Sequence, residues 1–274
     1  MAALLRSVLF VPGIRPDRFE RAVLAGADAV VFDLEDSVDP ARKAEARRAV
    51  GQFLGAPRPS GPLLLVRVNG AGTTWHRDDV TFAAGLAARP GVVVPKAEAP
   101  DTIAAVAAAL RGRALLPLVE TARGVLNAAS LAAAAPVPAV LFGAEDLTAE
   151  VGVPRTLDGE ELLFARSQVV LAATAAGADA IDAVFTALED LDGLRRDASR
   201  ARALGFRGKM AVHPDQIPVI HDVFTPSAAD VAHARRVVEA FDAAEARGEG
   251  VIRLDGRMID APVVARARRV LGAR

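Results

Sequence analysis

Eight times along this chain a short apolar run is followed by a segment of helical character, and few folds accommodate that repetition. The runs are Val8–Val11, Ala29–Phe32, Leu63–Val68, Val92–Val94, Ala114–Val119, Ala139–Phe142, Ala180–Val184 and Lys209–Val212. Short apolar runs without polar alternation fit strands buried on both faces. The intervening segments predict helices near Pro16–Gly26, Pro40–Leu54, Asp78–Ala88, Asp101–Leu110, Ala122–Ala134, Gly159–Ala176, Leu188–Leu204 and onward from Asp215. Gly26, Gly55, Gly91, Gly112, Gly177 and Gly205 punctuate the joins. Eight βα units in a chain of 274 residues predict an α/β protein of the (β/α)8 TIM-barrel class. A doubly wound open sheet is the alternative. It usually carries a glycine-rich phosphate turn, and no G-x-G-x-x-G or P-loop sequence is present.

Residues 1–225 hold the eight units. Residues 226–274 read as a C-terminal extension: a helix over Pro226–Gly248, a hairpin of Val251–Leu254 and Arg257–Ile259 turning at Asp255-Gly256, and a last helix over Pro262–Leu271. The extension is short for a core of its own. It is expected to pack on the barrel or on a neighbouring subunit, giving a single domain overall.

Composition removes several function classes. A formal net charge of −1, one Trp and no Tyr offer no footprint or stacking platform for nucleic acid. The absence of cysteine excludes disulfides and thiol catalysis and disfavours structural zinc. No apolar run reaches membrane-span length and Met1–Arg6 has no signal-peptide pattern, so a cytoplasmic protein is expected. Lys43, Lys96 and Lys209 are the only lysines, which limits Schiff-base chemistry to few candidates.

A barrel of this class does its chemistry where the strands end. The runs lead into Pro12-Gly13, Asp33-Leu34-Glu35-Asp36, Arg67-Val68-Asn69-Gly70, Pro95-Lys96, Glu120, Gly143-Ala144-Glu145-Asp146 and His213-Pro214, and the seventh contains Asp182. The strand starts read as free of such residues. Asp33, Glu35, Asp36, Glu120, Glu145, Asp146 and Asp182 would repel one another in one mouth unless cations lie between them. Arg67 and Lys96 supply part of that charge. A hard divalent cation, Mg²⁺ or Mn²⁺, would supply the rest, with Glu120 and Asp146 as its ligands. Glu35 and Asp36 are candidates to reach it through water. Blander readings stand beside these. A strand-end acid serves as a helix cap or ion-pair partner. Asp36-Ser37 and Asp39-Pro40 suit turn and cap chemistry. His213 can orient a loop, Lys96 can pair with Glu98, and Lys43, Arg47 and Arg48 read as a solvated helix face or as contacts to an anionic cofactor.

At these residues the sequence resembles the citrate lyase beta-subunit-like family, within the HpcH/HpaI aldolase and malyl-CoA lyase group. The matching segments are SVLFVPG (Ser7–Gly13) with Arg15–Phe19, AVVFDLEDSV (Ala29–Val38), VRVN (Val66–Asn69), VPKAE (Val94–Glu98), LVETARG (Leu118–Gly124), FGAEDL (Phe142–Leu147), KMAVHPDQ (Lys209–Gln216) and GRMIDAP (Gly256–Pro262). The combination is specific, whereas any one segment alone is weak.

The resemblance implies a homo-oligomeric barrel, trimer or hexamer, that binds Mg²⁺ and a CoA or acyl-carrier thioester. Such enzymes cleave citryl, citramalyl or malyl thioesters to an acetyl thioester and a 2-oxo acid, or run the condensation. Glu120 and Asp146 match the family's metal ligands and Arg67 its strand-end arginine. Asp260 matches a C-terminal acid that some relatives contribute across a subunit interface. Pro12, Gly13, Arg67, Lys96, Gly143, Ala144, Glu145 and His213 are the expected substrate contacts. Gly13 and Gly70 would admit backbone close to ligand. The chain reads as somewhat short for a citrate lyase subunit that works beside other subunits; stand-alone relatives use CoA esters. Rival readings are a malyl-CoA-type thioester hydrolase, a malate-synthase-like condensing enzyme, a Schiff-base aldolase using Lys96 or Lys209, and a non-enzymatic assembly subunit.

Overall fold

The structure is a computed structural model that describes residues 5–56, 61–135 and 137–272. The first four residues of the stretch read for a signal peptide lie outside the described residues. The chain forms two compact units, Met1–Phe224 and Thr225–Arg274.

In the first unit, β1 (Ser7–Pro12), β2 (Ala29–Asp33), β3 (Leu63–Arg67), β4 (Gly91–Val94), β5 (Leu115–Val119), β6 (Ala139–Phe142), β7 (Asp179–Asp182) and β8 (Gly208–Ala211) close into a parallel barrel in chain order. This is the expected (β/α)8 architecture. The helices are α1 (Phe19–Val23), α2 (Lys43–Leu54), α3 (His76–Gly85), α4 (Pro100–Leu110), α5 (Ala122–Ala133), α6 (Glu145–Val151), α7 (Leu163–Ala175), α8 (Leu191–Leu204) and α9 (Gln216–Phe224). Their starts follow local chemistry. Thr121 Oγ1 accepts from Gly124 N at 3.0 Å to cap α5, Asp190 caps α8 through Gly193 N at 2.7 Å, and Pro100 opens α4. Helix α6 was not expected: Gly143–Asp146 reads as a strand-end loop, but the chain turns helical at Glu145.

Side-chain direction inside the barrel follows the period of two along each strand. Val8, Val31, Leu65, Val93, Leu118, Leu141, Ile181 and Met210 cluster in one core, while Leu9, Val30, Phe32, Val66, Val92, Val119, Val140 and Ala180 belong to the core shared with the helices. The first set fills the barrel and the second faces the helical layer. Stepping two residues onward from the inner set reaches Asp33, Arg67, Glu120 and Gly143. Polar residues at the strand ends therefore continue the inward face.

The same parity corrects two expectations. Asp182 lies one step out of phase from Ile181, and Lys209 one step from Met210, so both point outward. There Lys209 Nζ meets Asp182 at 2.6 Å and also Asp197, while Arg166 grips Asp182 through two bonds of 3.0 Å. Asp182 is thus no part of the acidic mouth. Lys209 is fully buried outside the barrel mouth with its Nζ bonded to two carboxylates, which removes it as a Schiff-base nucleophile.

Nor are the strand starts free of polar chemistry. Arg6 donates to Asp28 from its backbone N, Nε and Nη2, and Ser7 Oγ meets His221 Nε2 at 2.7 Å. Ser7 is fully buried, so this network ties the barrel floor together.

The second unit comprises α10 (Ala228–Glu245), an antiparallel pair of β9 (Ile252–Leu254) and β10 (Arg257–Ile259), and α11 (Ala261–Gly272). Asp255 and Gly256 have φ of 50° and 78°, as a two-residue hairpin turn requires. Ser227 and Asp230 form a capping box at the start of α10. Ala234, Val237, Phe241, Ile259, Val264 and Ala267 make an apolar cluster within the unit, more of a core than its length suggested.

Candidate functional site

A cavity of about 450 Å³ opens at the C-terminal end of the strands. Its polar wall is Arg18, Asp33, Asp36, Ser37, Arg67, Glu120, Glu145 and Asp146, and its apolar wall includes Phe10, Pro12, Leu118, Val184 and Met210. Gly143 and Ala144 complete the wall beside Glu145.

Asp33 and Arg67 are register partners on adjacent strands, both facing in. Arg67 Nε and Nη2 donate to the two Asp33 carboxylate oxygens at 2.7 and 2.8 Å. Asp33 also accepts from Glu35 N at 2.9 Å and Ser37 N at 3.2 Å, which folds the loop back over the mouth. Burial opposes the Asp33 charge, but Arg67 outweighs it and holds the carboxyl below its usual range. Arg67 rests against the Phe10 ring, 5.3 Å from its centroid. Nη1 remains, 2.9 Å from Glu35 Oε2 and 3.6 Å from Asp36. Glu35 Oε2 is buried and makes no hydrogen bond, so its contact with Nη1 is an ion contact out of alignment.

Glu120 is buried at the inward position past β5. A Cβ on Gly143 would stand 2.5 Å from Glu120 Cβ and 2.7 Å from Oε2, so only glycine leaves room for this carboxylate. Glu120 Oε1 accepts from Lys96 N at 2.8 Å. Lys96 adopts a left-handed φ of 47°, and its Nζ donates to Glu35 Oε1 at 3.0 Å and lies 3.6 Å from Asp146 Oδ1. Asp146 sits in the first turn of α6, half exposed.

Acids outnumber bases here. Burial, reinforced by Glu35 and Asp146, pushes the Glu120 carboxyl up to about 8; burial and Asp36 push Glu35 up to about 7. Burial disfavours the Lys96 charge, but Glu35 and Glu120 outweigh it and raise its pKa. A carboxyl whose pKa is raised on folding favours the fold while protonated. Stability then declines as pH rises above the ordinary glutamate value through about 7 and about 8. In chelator, the melting temperature is therefore expected to fall between about pH 5 and about pH 8, with a divalent cation restoring it at the upper end. Thermal scans across that window check this, and a flat or rising profile overturns the reading.

The surplus of acidic groups, the orphan Glu35 oxygen and the space kept open by Gly143 fit a hard cation held by Glu120 and Asp146. Among the described residues no three His, Cys, Asp or Glu side chains converge on one point. Two carboxylates suffice for Mg²⁺, which keeps waters that a substrate can displace.

The other residues singled out have the following settings. Gly13 is off the cavity wall: its N donates to Asp33 O at 2.8 Å and a Cβ would meet that oxygen at 2.6 Å, so it serves backbone packing. Gly70 is uncrowded, with Lys96 Cδ 4.0 Å from a Cβ placed there. His213 falls out of phase with the inward-facing Met210 and accepts from Asp215 N at 3.3 Å, orienting its loop. Lys96 pairs with Glu35 rather than Glu98, and Glu98 lies 4.0 Å from Arg123. Asp260, in the C-terminal unit, accepts from Val263 N at 3.2 Å at the start of α11. Lys43 is not solvated; its Nζ donates to Leu34 O and Glu35 O at 2.9 and 2.7 Å. Arg47 binds the buried Asp79 at 2.6 Å, so neither is free for a cofactor. Asp33, Arg18 and Ser37 line the cavity without having been singled out as contacts. For Asp33 the signal was its place two residues past the inward Val31.

Residues 6–214 match the HpcH/HpaI aldolase/citrate lyase family. A citrate lyase subunit beta-like protein of Deinococcus radiodurans is 41% identical, covering 98% of this chain and 97% of that protein. A (3S)-malyl-CoA thioesterase of Cereibacter sphaeroides is 36% identical, covering 97% and 93%. The structure of CitE from Mycobacterium tuberculosis in complex with magnesium, acetoacetate and coenzyme A superposes with a TM-score of 0.85 at 37% identity, covering 100% of this chain and 99% of that one.

Proposed function

The chain belongs to the HpcH/HpaI aldolase/citrate lyase family, and from that premise we propose that it is a Mg²⁺-dependent carbon–carbon lyase acting on a 3-hydroxyacyl thioester. The substrate class is a citryl, citramalyl or malyl thioester of CoA or an acyl carrier, and the products are an acetyl thioester and a 2-oxo acid. The observation that carries the reading is Glu120, a buried carboxyl group aimed into the mouth beside Asp146 and opposite Arg67, in a site where acids outnumber bases.

Glu120 and Asp146 would hold the ion, with Glu35 and Asp36 close enough to support it through water. When bound, Mg²⁺ (or Mn²⁺) supplies a Lewis acid for the oxygens of the hydroxy or 2-oxo acid. Cleavage breaks the carbon–carbon bond next to the hydroxyl. The hydroxyl gives up its proton to a carboxylate of the mouth or to solvent, its carbon becomes the 2-oxo carbonyl, and the released electron pair passes to the thioester as an enolate. Arg67 has a defined part in this. Two of its donor nitrogens are committed to Asp33, so a two-pronged grip on a substrate carboxylate would require Asp33 to let go. Nη1, which makes only ion contacts with Glu35 and Asp36, suits a single hydrogen bond to the enolate oxygen. Leu118, Val184 and Met210 keep that wall apolar, which strengthens the bond.

Asp260 is proposed to return a proton to the acetyl carbon from a neighbouring subunit. Mixing Asp260→Ala chains with Glu120→Ala chains should then restore part of the activity; no rescue removes the in-trans role. An oligomer is supported by Leu126 and Phe164, about 70% and 68% exposed beside a further cavity of about 240 Å³.

The test is incubation with Mg²⁺ and citryl, citramalyl and malyl thioesters, with and without chelator, and identification of the products by mass spectrometry. Metal-dependent release of acetyl thioester and a 2-oxo acid is expected. The 36% identity to a malyl-CoA thioesterase favours hydrolysis as the second reading, for which free CoA and intact hydroxy acid would appear instead.

A further inference from the structure

We propose that the Lys96 ammonium is the resident counter-cation of the acidic mouth when no metal is bound, that an entering metal displaces it, and that Lys96 thereby sets the metal affinity of the site. The inference rests on the metal reading of Glu120 and Asp146.

Lys96 Nζ stands among three carboxylates, 3.0 Å from Glu35, 3.6 Å from Asp146 and 3.9 Å from Asp36. Only the first is a hydrogen bond. An ammonium that close to Asp146 occupies the space an ion bound to Asp146 needs, and the two like charges repel. Arg67 is no substitute, because Asp33 holds it on two prongs. Of the two cations in contact with these carboxylates, Lys96 is therefore the one that can leave.

The backbone around it is built for this. Lys96 has the left-handed φ of 47°, uncommon for a side chain of its kind, and its N–H is fixed to Glu120 Oε1 at 2.8 Å. That bond pins the start of the side chain beside one expected ligand while its end reaches the other. The side chain is 39% exposed, and Gly70, the neighbour at Cδ, leaves open room, so it has a route to solvent. Swinging out costs the ammonium its contacts with Glu35 and Asp146, and the ion replaces that charge. A long, flexible lysine suits such an exchange better than a planar arginine fork.

The chain provides its own reporter. Of its three lysines, Lys43 and Lys209 are buried against carbonyls and carboxylates, respectively. Amine acylation followed by peptide mass spectrometry thus isolates Lys96. In wild-type protein, adding Mg²⁺ to chelator-treated enzyme is expected to speed Lys96 acylation several-fold. In calorimetry, Lys96→Met is expected to bind Mg²⁺ roughly tenfold more tightly than wild type, a competing charge having been removed. Unchanged or slower labelling with Mg²⁺, or unchanged affinity in Lys96→Met, overturns the displacement. Glu120→Gln separates the two levels of the argument. If wild type binds Mg²⁺ and Glu120→Gln does not, while Lys96 is unmoved, only the displacement fails. If wild type shows no Mg²⁺ binding, the metal reading fails and the displacement with it.

Discussion

Glu120→Gln should lower turnover roughly 10³-fold or more and weaken Mg²⁺ binding to match, because a metal contributes several kcal/mol to a transition state of this kind. Glutamine is the informative replacement. It keeps an oxygen to accept from Lys96 N, a bond of 2.8 Å in the wild type, so the strained backbone at Lys96 keeps its anchor. It also keeps the shape that Gly143 accommodates. What disappears is the charge. Calorimetric titration with Mg²⁺ beside the product assay checks this, and near-normal turnover would remove Glu120 from the metal site.

Arg67→Lys should cost roughly 10²-fold or more in kcat, the scale of losing one preorganised donor to an oxyanion. A lysine carries the charge but not the planar fork. It cannot bind both oxygens of Asp33 and still present a donor to the cavity, and Asp33 is buried and arranges the loop through Glu35 N and Ser37 N. A fall in kcat with the melting temperature nearly kept places Arg67 at the reacting atoms. Loss of melting temperature with kcat preserved in the folded fraction makes it a structural residue that holds Asp33.

The eight-fold βα repeat was legible because strands buried on two faces and helices buried on one have different apolar rhythms. Helix α5 starts at Ala122 as expected, whereas α8 starts at Leu191, three residues past the expected Leu188, because Asp190 caps it. Helix α6 was not legible, since Gly143 and Ala144 before Glu145 carry no capping side chain. Lys43 and Arg47 looked like a solvated face because charge is all a sequence displays. Their burial depends on the carbonyls of the Leu34–Glu35 loop and on Asp79, which are distant along the chain or specific to the loop's path.

The sequence by itself determined the barrel, the acidic character of its mouth, and the candidacy of Glu120, Asp146 and Arg67. Only the tertiary structure decided which strand-end residues look inward. Asp33, Arg67 and Glu120 share the phase of Val31, Leu65 and Leu118, whereas Asp182, Lys209 and His213 fall on the other parity. The reason is physical. A strand apolar on both faces has no polar alternation, so its sequence carries no phase; the phase is set by register with neighbouring strands and by which side the helices cover. The left-handed turn at Lys96 likewise belongs to the fold, since nothing in Pro95-Lys96 announces a bend that lays an ammonium across the carboxylates of two separate segments.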